Sequence, residues 1–168
     1  MNIQQRIEAR HDALAICYRM TGDYAKLDYR SAWGKIANYC EKRGLPTECA
    51  DAEYINVYYD DPETTPAEQC SVDVCVAADV VKTLSPGDGI DIRTIEGGNF
   101  IVFLLKGPYE QLGEAYGQIY SKLLPEAGVK PLQKPMFERY LNDPGTTNCE
   151  NLLTEIWIPI EKPSKIDW

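Results

Sequence analysis

The chain has 168 residues, of which 44% are hydrophobic, and its formal net charge is −9. This length is sufficient for one domain with its own core, and the acidic balance argues against the basic surface that a protein needs to bind DNA. Its apolar runs are far shorter than the roughly 20 residues of a membrane-spanning helix, and its first ten residues do not resemble a signal peptide. We therefore expect a cytoplasmic protein that binds neither nucleic acid nor membrane directly.

Six cysteines and a single histidine, His11, are the residues that could suggest a metal site or a thiol-based active site. The cysteines form no C-x-x-C pair, and one histidine cannot supply a second imidazole ligand. His11 also precedes the first strand that we predict, so a Ser/His or Cys/His catalytic pair is poorly supported. We expect reduced thiols, no metal and no cofactor.

The sequence contains an internal repeat. Residues 32–36 read Ala-Trp-Gly-Lys-Ile, and residues 115–119, which lie 83 positions later, read Ala-Tyr-Gly-Gln-Ile. Each segment belongs to a pattern with apolar residues at spacings of three and four, which is typical of an amphipathic helix. Each helix follows an apolar run that ends in a glycine turn, at Gly22 in the first copy and at Gly107 in the second. Each copy therefore begins with a strand and a helix.

The repeat continues after the helices at an offset of 82. Residues 54–59 align with 136–141, the Asp-Pro turn at 61–62 aligns with the one at 143–144, and residues 72–76 align with 154–158. Each copy thus reads strand, helix, strand, strand. We predict an α+β fold of two βαββ modules related by a pseudo-twofold axis, with antiparallel sheets and two main helices. The single domain, 1–168, would comprise repeat one at about 6–80, a linker with one extra strand at about 81–96, and repeat two at about 97–162.

Strand alternation gives each repeat an acid at the same position. In the last strand Ile156 and its even-numbered neighbours share one face, while Glu155 and Trp157 share the other. Asp73 occupies the equivalent position in the first repeat. A carboxylate beside an aromatic ring suits a cation, whereas the alternative for Glu155 is a solvent-facing residue. The sequence does not decide which face lines a cleft.

Several segments resemble one family. They are the loop at 57–68 (Val-Tyr-Tyr-Asp-Asp-Pro-Glu-Thr-Thr-Pro-Ala-Glu), the Gly-Pro-Tyr turn at 107–109, the strand start at 134–138 and the last strand at 155–160. They are similar to the GyrI-like proteins, the bacterial DNA gyrase inhibitors known for microcin resistance, and the likeness covers roughly residues 6–162. The family shares its fold with the effector-binding domains of AraC-type and MerR-type regulators, which are built from two βαββ modules of the SHS2 kind. The resemblance implies a free-standing protein with a role in stress response or toxin resistance.

The resemblance also implies a cleft between the halves that takes cationic or amphipathic compounds. Glu155 matches the buried glutamate that meets cationic ligands in related effector domains, and we expect it at the floor of the cleft. The remaining ligand-binding candidates are Trp157, Trp33, Tyr109, Tyr116 and Asp73. Asp73 is included for its symmetric position and not for the resemblance, and Trp33 and Tyr116 could equally be core residues. The implied role is modulation or protection of DNA gyrase. The alternative is a hydrolase that opens strained, electrophilic rings with Glu155 and aromatic partners, so catalysis is left open at this point.

Overall fold

A computed structural model describes residues 1–45 and 49–163, and it has the predicted α+β architecture. In chain order the strands and helices of these residues are β1 (Ile3–Arg10), β2 (Ala13–Thr21), α1 (Tyr29–Lys42), β3 (Glu53–Tyr58), β4 (Ser71–Ala77), β5 (Asp91–Ile95), β6 (Gly98–Lys106), α2 (Leu112–Gln118), α3 (Leu124–Glu126), β7 (Met136–Tyr140) and β8 (Leu153–Ile160). Short 3₁₀ helices lie at Ala67–Gln69, Asp79–Thr83, Tyr109–Gln111 and Cys149–Asn151. No helix within the described ranges is long and apolar enough to cross a membrane.

The chain divides into two compact units, which we name for their place in the sequence. The central unit is His11–Gly97, and the terminal unit combines Met1–Arg10 with Gly98–Trp168. In the central unit the antiparallel strands follow the order β5-β2-β4-β3, and in the terminal unit they follow the order β1-β6-β8-β7. Each unit therefore holds one βαββ module and one further strand, which pairs with the first strand of that module.

The core of the central unit lies between its sheet and α1. The helix begins after Asp28, whose carboxylate accepts a hydrogen bond from the Ser31 N–H at 3.0 Å and so caps the helix. Ala32 and Ile36 are buried on its inner face and pack against Val74 of β4 and a set of apolar neighbours. We call this side of the sheet the helix side and the other side the far side.

The terminal unit has the same organisation with a less regular helix. Its α2 and α3 are joined by a π-helical stretch, Ile119–Leu123, so that residues 112–126 form one helical segment with a widened turn. Ala115 and Ile119 occupy the buried positions that Ala32 and Ile36 hold in α1. Ile119 packs against Ile156 and other apolar residues of the sheet, which again defines a helix side and a far side.

The turns of the two modules match each other as well as the strands do. Gly22 and Gly107 have φ angles of 148° and 147°, and their N–H groups donate to the carbonyls of Cys70 and Leu152 at 2.8 and 2.9 Å. These are conformations that favour glycine. In the Asp-Pro turns the carboxylates of Asp61 and Asp143 each accept a backbone hydrogen bond from the residue two positions later. The structure thus confirms two copies of one βαββ module.

One element was not predicted from the sequence. Strand β1 pairs with β6 along its length, from Ile3 opposite Leu105 to Arg10 opposite Gly98. It plays the part in the terminal unit that β5 plays in the central unit, where β5 pairs with β2. The extra strand predicted for about 81–96 corresponds to β5.

Candidate ligand-binding site

The two acids predicted from the repeat occupy matching positions. Asp73 is the third residue of β4 and Glu155 the third residue of β8. Their neighbours Val74 and Ile156 pack on the helix side, and successive side chains of a strand point to opposite faces. Both acids therefore point to the far side of their own sheet, and both are buried, with 0% of Asp73 and 4% of Glu155 exposed.

Glu155 is held by two arginines and a tryptophan. Its Oε2 lies 2.7 Å from Nη2 of Arg6 on β1, and its Oε1 lies 3.7 Å from Nη1 of Arg139 on β7. The indole Nε1–H of Trp157 donates to Oε1 at 3.2 Å. The guanidinium of Arg6 also lies over the Trp157 ring, 5.5 Å from its centroid. A carboxylate next to an aromatic ring does bind a cation here, and the cation is the protein's own Arg6.

Trp157 belongs to an aromatic cluster on the far side of the terminal unit. Its ring stacks on that of Phe137 at 5.3 Å and meets Phe100 edge-on at 5.4 Å. The guanidinium of Arg10 lies over both Phe137 and Trp157, at 5.1 and 5.2 Å. Only 1% of Trp157 is exposed, and within the terminal unit its ring packs against Phe100 and Phe137.

Asp73 has a similar set of partners. Arg19 donates to it from Nε and Nη2 in a bidentate pair, both at 2.9 Å, and Arg93 donates from Nε at 3.2 Å. The Tyr59 hydroxyl donates to Oδ2 at 2.7 Å. The hydrogen bond to Asp73 raises the pKa of Arg19, and burial, followed by the same carboxylate, raises the pKa of Tyr59. Arginine-paired acids on the far side are thus a shared feature of the two units.

A second buried acid, Glu138, lies on the helix side of the terminal unit. It pairs directly with Ile156 across β7 and β8, and 4% of it is exposed. The hydroxyls of Tyr116 and Tyr140 donate to its two carboxylate oxygens, each at 2.5 Å. The Tyr109 ring packs edge-on against Tyr140 at 5.7 Å, and burial together with the charges of Asp143 and Glu138 raises the pKa of Tyr109. We call Tyr109, Tyr116, Glu138 and Tyr140 the tyrosine–glutamate cluster.

The equivalent positions of the central unit differ in charge. Tyr24 packs edge-on against Tyr58 at 4.9 Å, as Tyr109 does against Tyr140. Asn56, which is also buried, stands where the terminal unit has Glu138. The duplicated framework therefore has an acid at this position in the terminal unit and a neutral amide in the central unit.

The six residues predicted for the site are distributed over both units and over both sides of the strands. Glu155 and Trp157 are in contact on the far side of the terminal unit, whereas Tyr109 and Tyr116 lie on its helix side with Glu138. In the central unit Asp73 lies on the far side, and Trp33 packs on the helix side, with its ring 6.1 Å from that of Tyr54. That all six would surround one ligand remains a prediction.

Sequence reasoning missed Glu138, although a signal was present. β7 alternates Met136, Glu138 and Tyr140 on one face, and the apolar Ile156 lies opposite Glu138 in the neighbouring strand. An acid among aromatic and apolar residues of one strand face is unusual, and this was the reason for selecting Glu155. The same reason would have selected Glu138. Arg6 carried no such signal, because it lies in a polar segment far from Glu155 in the chain.

Comparison with known proteins decides the family. Residues 6–161 match the GyrI-like small molecule binding domain. This chain belongs to the GyrI-like family. The match covers nearly the whole chain and agrees with the range that the resemblance indicated.

Curated relatives of this GyrI-like chain carry the name DNA gyrase inhibitor. One, from Escherichia coli strain K12, is 33% identical over 92 residues, which are 54% of this chain and 59% of the relative. Another, from Citrobacter rodentium, is 27% identical over 138 residues, 81% of this chain and 83% of the relative. The match to the E. coli relative thus spans 59% of that relative's length.

Solved structures share the fold. The C-terminal domain of EcmrR has a TM-score of 0.69 at 19% identity, with 97% of this chain and 100% of that domain covered. A hydrolase from Listeria innocua has a TM-score of 0.62 at 12% identity, covering 94% of this chain and 92% of that one. SAV2435, solved with tetraphenylphosphonium bound, has a TM-score of 0.59 at 13% identity, with 94% of each chain covered. At these identities the likeness establishes the fold.

Proposed function

We propose that this GyrI-like domain binds small aromatic cations and that Glu138 is the acid that anchors them. One observation carries the proposal: a buried carboxylate accepts hydrogen bonds from the hydroxyls of two tyrosines, Tyr116 and Tyr140. Tyrosine hydroxyls hold the carboxylate in place, and the rings offer their negatively charged faces to a cation. The family description, a small-molecule-binding domain, supports the proposal.

The cluster has an accessible side. Tyr120 stacks on Tyr116 at 6.4 Å, with 13° between the ring planes, and 51% of it is exposed. Its hydroxyl contacts the sulfur of Met136 at 3.7 Å. A stacked tyrosine pair that runs from the solvent to the buried acid would give a flat aromatic ligand a surface to bind, and a methionine beside it can adapt to ligands of different shape.

The contacts of Glu155 make it the less suitable anchor for a ligand cation. A ligand cation at Glu155 would have to displace Arg6, which lies 2.7 Å from the carboxylate and over Trp157. At Glu138 the hydroxyls of Tyr116 and Tyr140 donate to the two carboxylate oxygens. Tyr109 and Tyr116, predicted from the sequence, remain part of the proposed site, and Glu155 with Trp157 becomes the alternative anchor.

Tetraphenylphosphonium is a suitable probe, because SAV2435, a protein of the same fold, was solved with this cation. A ligand that binds only the folded state raises the melting temperature. We expect tetraphenylphosphonium to raise the melting temperature of the wild type and to have less effect on Glu138→Gln, which keeps the shape of the side chain and removes its charge. Glu8→Gln, which removes an exposed acid, is the matched control. An equal shift in all three proteins would show that Glu138 is not the anchor.

We further propose DNA gyrase, in the cytoplasm, as the protein partner, with a role in resistance to toxins that act on it. The support is that relatives carry the name DNA gyrase inhibitor. Stoichiometric addition of the protein should then lower the supercoiling activity of purified gyrase. Supercoiling that is unchanged at a molar excess would contradict this partner.

The hydrolase alternative remains a separate proposal. It is supported by the Listeria innocua hydrolase, which shares the fold, and by buried acids that could activate water. A hydrolase should convert many molecules of an electrophilic, strained-ring compound per protein chain. A binding protein should protect at most one equivalent, so product counted per chain distinguishes the two.

A further inference from the structure

Two cysteines lie opposite each other on neighbouring inner strands of the central unit. Cys17 of β2 lies directly opposite Cys75 of β4, and these two strands are the inner ones of the order β5-β2-β4-β3. Each residue is 1% exposed, and both are free thiols. Their sulfur atoms are 3.0 Å apart, so either thiol can donate to the other.

The strand register is compatible with a disulfide between the two cysteines. Residues directly opposite each other in an antiparallel pair have Cα atoms about 4.5 or 5.5 Å apart, and disulfides span Cα distances of roughly 4.4–6.8 Å. The sulfur atoms would need to approach by only about 1 Å to reach the S–S bond length of roughly 2.05 Å. We propose that Cys17 and Cys75 form a reversible modification site that closes to a cross-strand disulfide in the presence of a peroxide.

The chemistry is balanced with one molecule of hydrogen peroxide. A thiolate of the pair attacks one peroxide oxygen, the O–O bond breaks, and a sulfenic acid and hydroxide form. The second thiol attacks the sulfenic sulfur, the S–S bond forms, and water leaves. In total two thiols lose two protons and two electrons, and the peroxide is reduced to two molecules of water.

The surroundings of the two cysteines determine how fast the disulfide forms and which contacts it would affect. Burial, together with the adjacent Cys17 thiol, raises the pKa of Cys75 well above its ordinary value, so little thiolate is present at neutral pH and oxidation should be slow. Cys149, which is exposed, should react first. Once formed, the bond would join β2 and β4 two residues from the ion pair of Asp73 with Arg19.

Peptide mapping of the intact protein tests the proposal. The full chain is incubated with hydrogen peroxide at neutral pH, the remaining thiols are alkylated, and the protein is digested without reduction. We expect the peptides of Cys17 and Cys75 to be recovered as one linked species that dithiothreitol separates. The linked protein should melt about 5 °C or more above the reduced form, because the bond restricts the unfolded chain between positions 17 and 75.

Two controls keep the outcome unambiguous. Cys149→Ser should leave the linked species unchanged, and Cys17→Ser should abolish it. Since the wild-type map is read without any variant, a poorly folded Cys17→Ser would not obscure the result. Recovery of Cys17 and Cys75 as alkylated thiols while other cysteines are oxidised would overturn the proposal. Cys40 and Cys49 are two further free cysteines, both half-buried. A linkage mainly between these two, or a linked protein that melts like the reduced one, would overturn the proposal as well.

Discussion

Glu155 is a buried acid whose charge is balanced by arginines of the protein. Its substitution should therefore lower the stability of the fold. Arg6 and Arg139 contact the carboxylate, and removal of the acid leaves their charges without this partner. We expect Glu155→Gln to lower the free energy of unfolding by about 1–3 kcal/mol, below the full value for a buried pair because the Arg6 side chain is 40% exposed. Urea denaturation measures the change.

The control for Glu155 is Glu8, the second acid in contact with Arg6. Its carboxylate lies 3.5 Å from the guanidinium and is 44% exposed. Glu8→Gln should change the free energy of unfolding by less than about 0.5 kcal/mol. Equal effects of the two substitutions would contradict a structural role for the Arg6–Glu155 pair.

Asp73 should be the more sensitive of the two matching acids. It accepts the bidentate pair from Arg19 and the hydrogen bonds from Arg93 and Tyr59, and it is fully buried. Asp73→Asn is expected to cost about 2–4 kcal/mol of stability. Asp91→Asn removes a 59% exposed acid that also contacts Arg93 and should be nearly neutral. Thermal unfolding of the three proteins side by side gives the comparison, and a neutral Asp73→Asn would contradict the role assigned to this network.

At the scale of elements, the glycines of the repeated helices allow a direct test. Gly34 lies inside α1, and a β-carbon built at this position would meet nothing within 4 Å. Gly34→Ala should therefore raise the free energy of unfolding by roughly 0.5–1 kcal/mol, since alanine favours a helix interior more than glycine does. Chemical denaturation gives the value. A loss of stability would mean that the helix needs the close approach that glycine permits.

The elements differ in how well the sequence predicts them. The repeated helices and the Asp-Pro turns could be predicted because their signals are local and occur twice. Strand β1 could not, because Gln4, Arg6 and Glu8 alternate with residues that are also exposed, so the segment shows no apolar period. Its pairing with β6 joins segments about 95 residues apart, and no local pattern encodes such a contact.

The site was harder to predict than the fold for a related reason. Alternation correctly put Glu155 and Trp157 on one face of β8, but it cannot show which side of a sheet binds a ligand. Nor can it show that Arg6, supplied by an unpredicted strand, pairs with Glu155. Strand alternation could have identified Glu138 and its neighbour Tyr140, whereas the hydrogen bond from Tyr116, which comes from a helix, becomes evident only in three dimensions.

At the scale of the whole molecule, the charge makes a prediction about nucleic acid. With a formal net charge of −9, the protein would have to overcome repulsion from phosphates before any base contact could form. We expect no shift of duplex DNA in a gel assay at physiological salt, at protein concentrations up to tens of micromolar. A salt-sensitive shift at lower concentrations would contradict this.

The central claim, that an aromatic cation binds at Glu138, is tested most directly by calorimetric titration of tetraphenylphosphonium into wild type, Glu138→Gln and Glu155→Gln, at a temperature where all three are folded. We predict that the wild type binds, that Glu138→Gln binds at least about tenfold more weakly, and that Glu155→Gln stays within about threefold of wild type. Tenfold corresponds to about 1.4 kcal/mol, within the range for a hydrogen bond or contact to a charged group. Wild-type affinity in Glu138→Gln together with a loss in Glu155→Gln would contradict the account and make Glu155 the anchor.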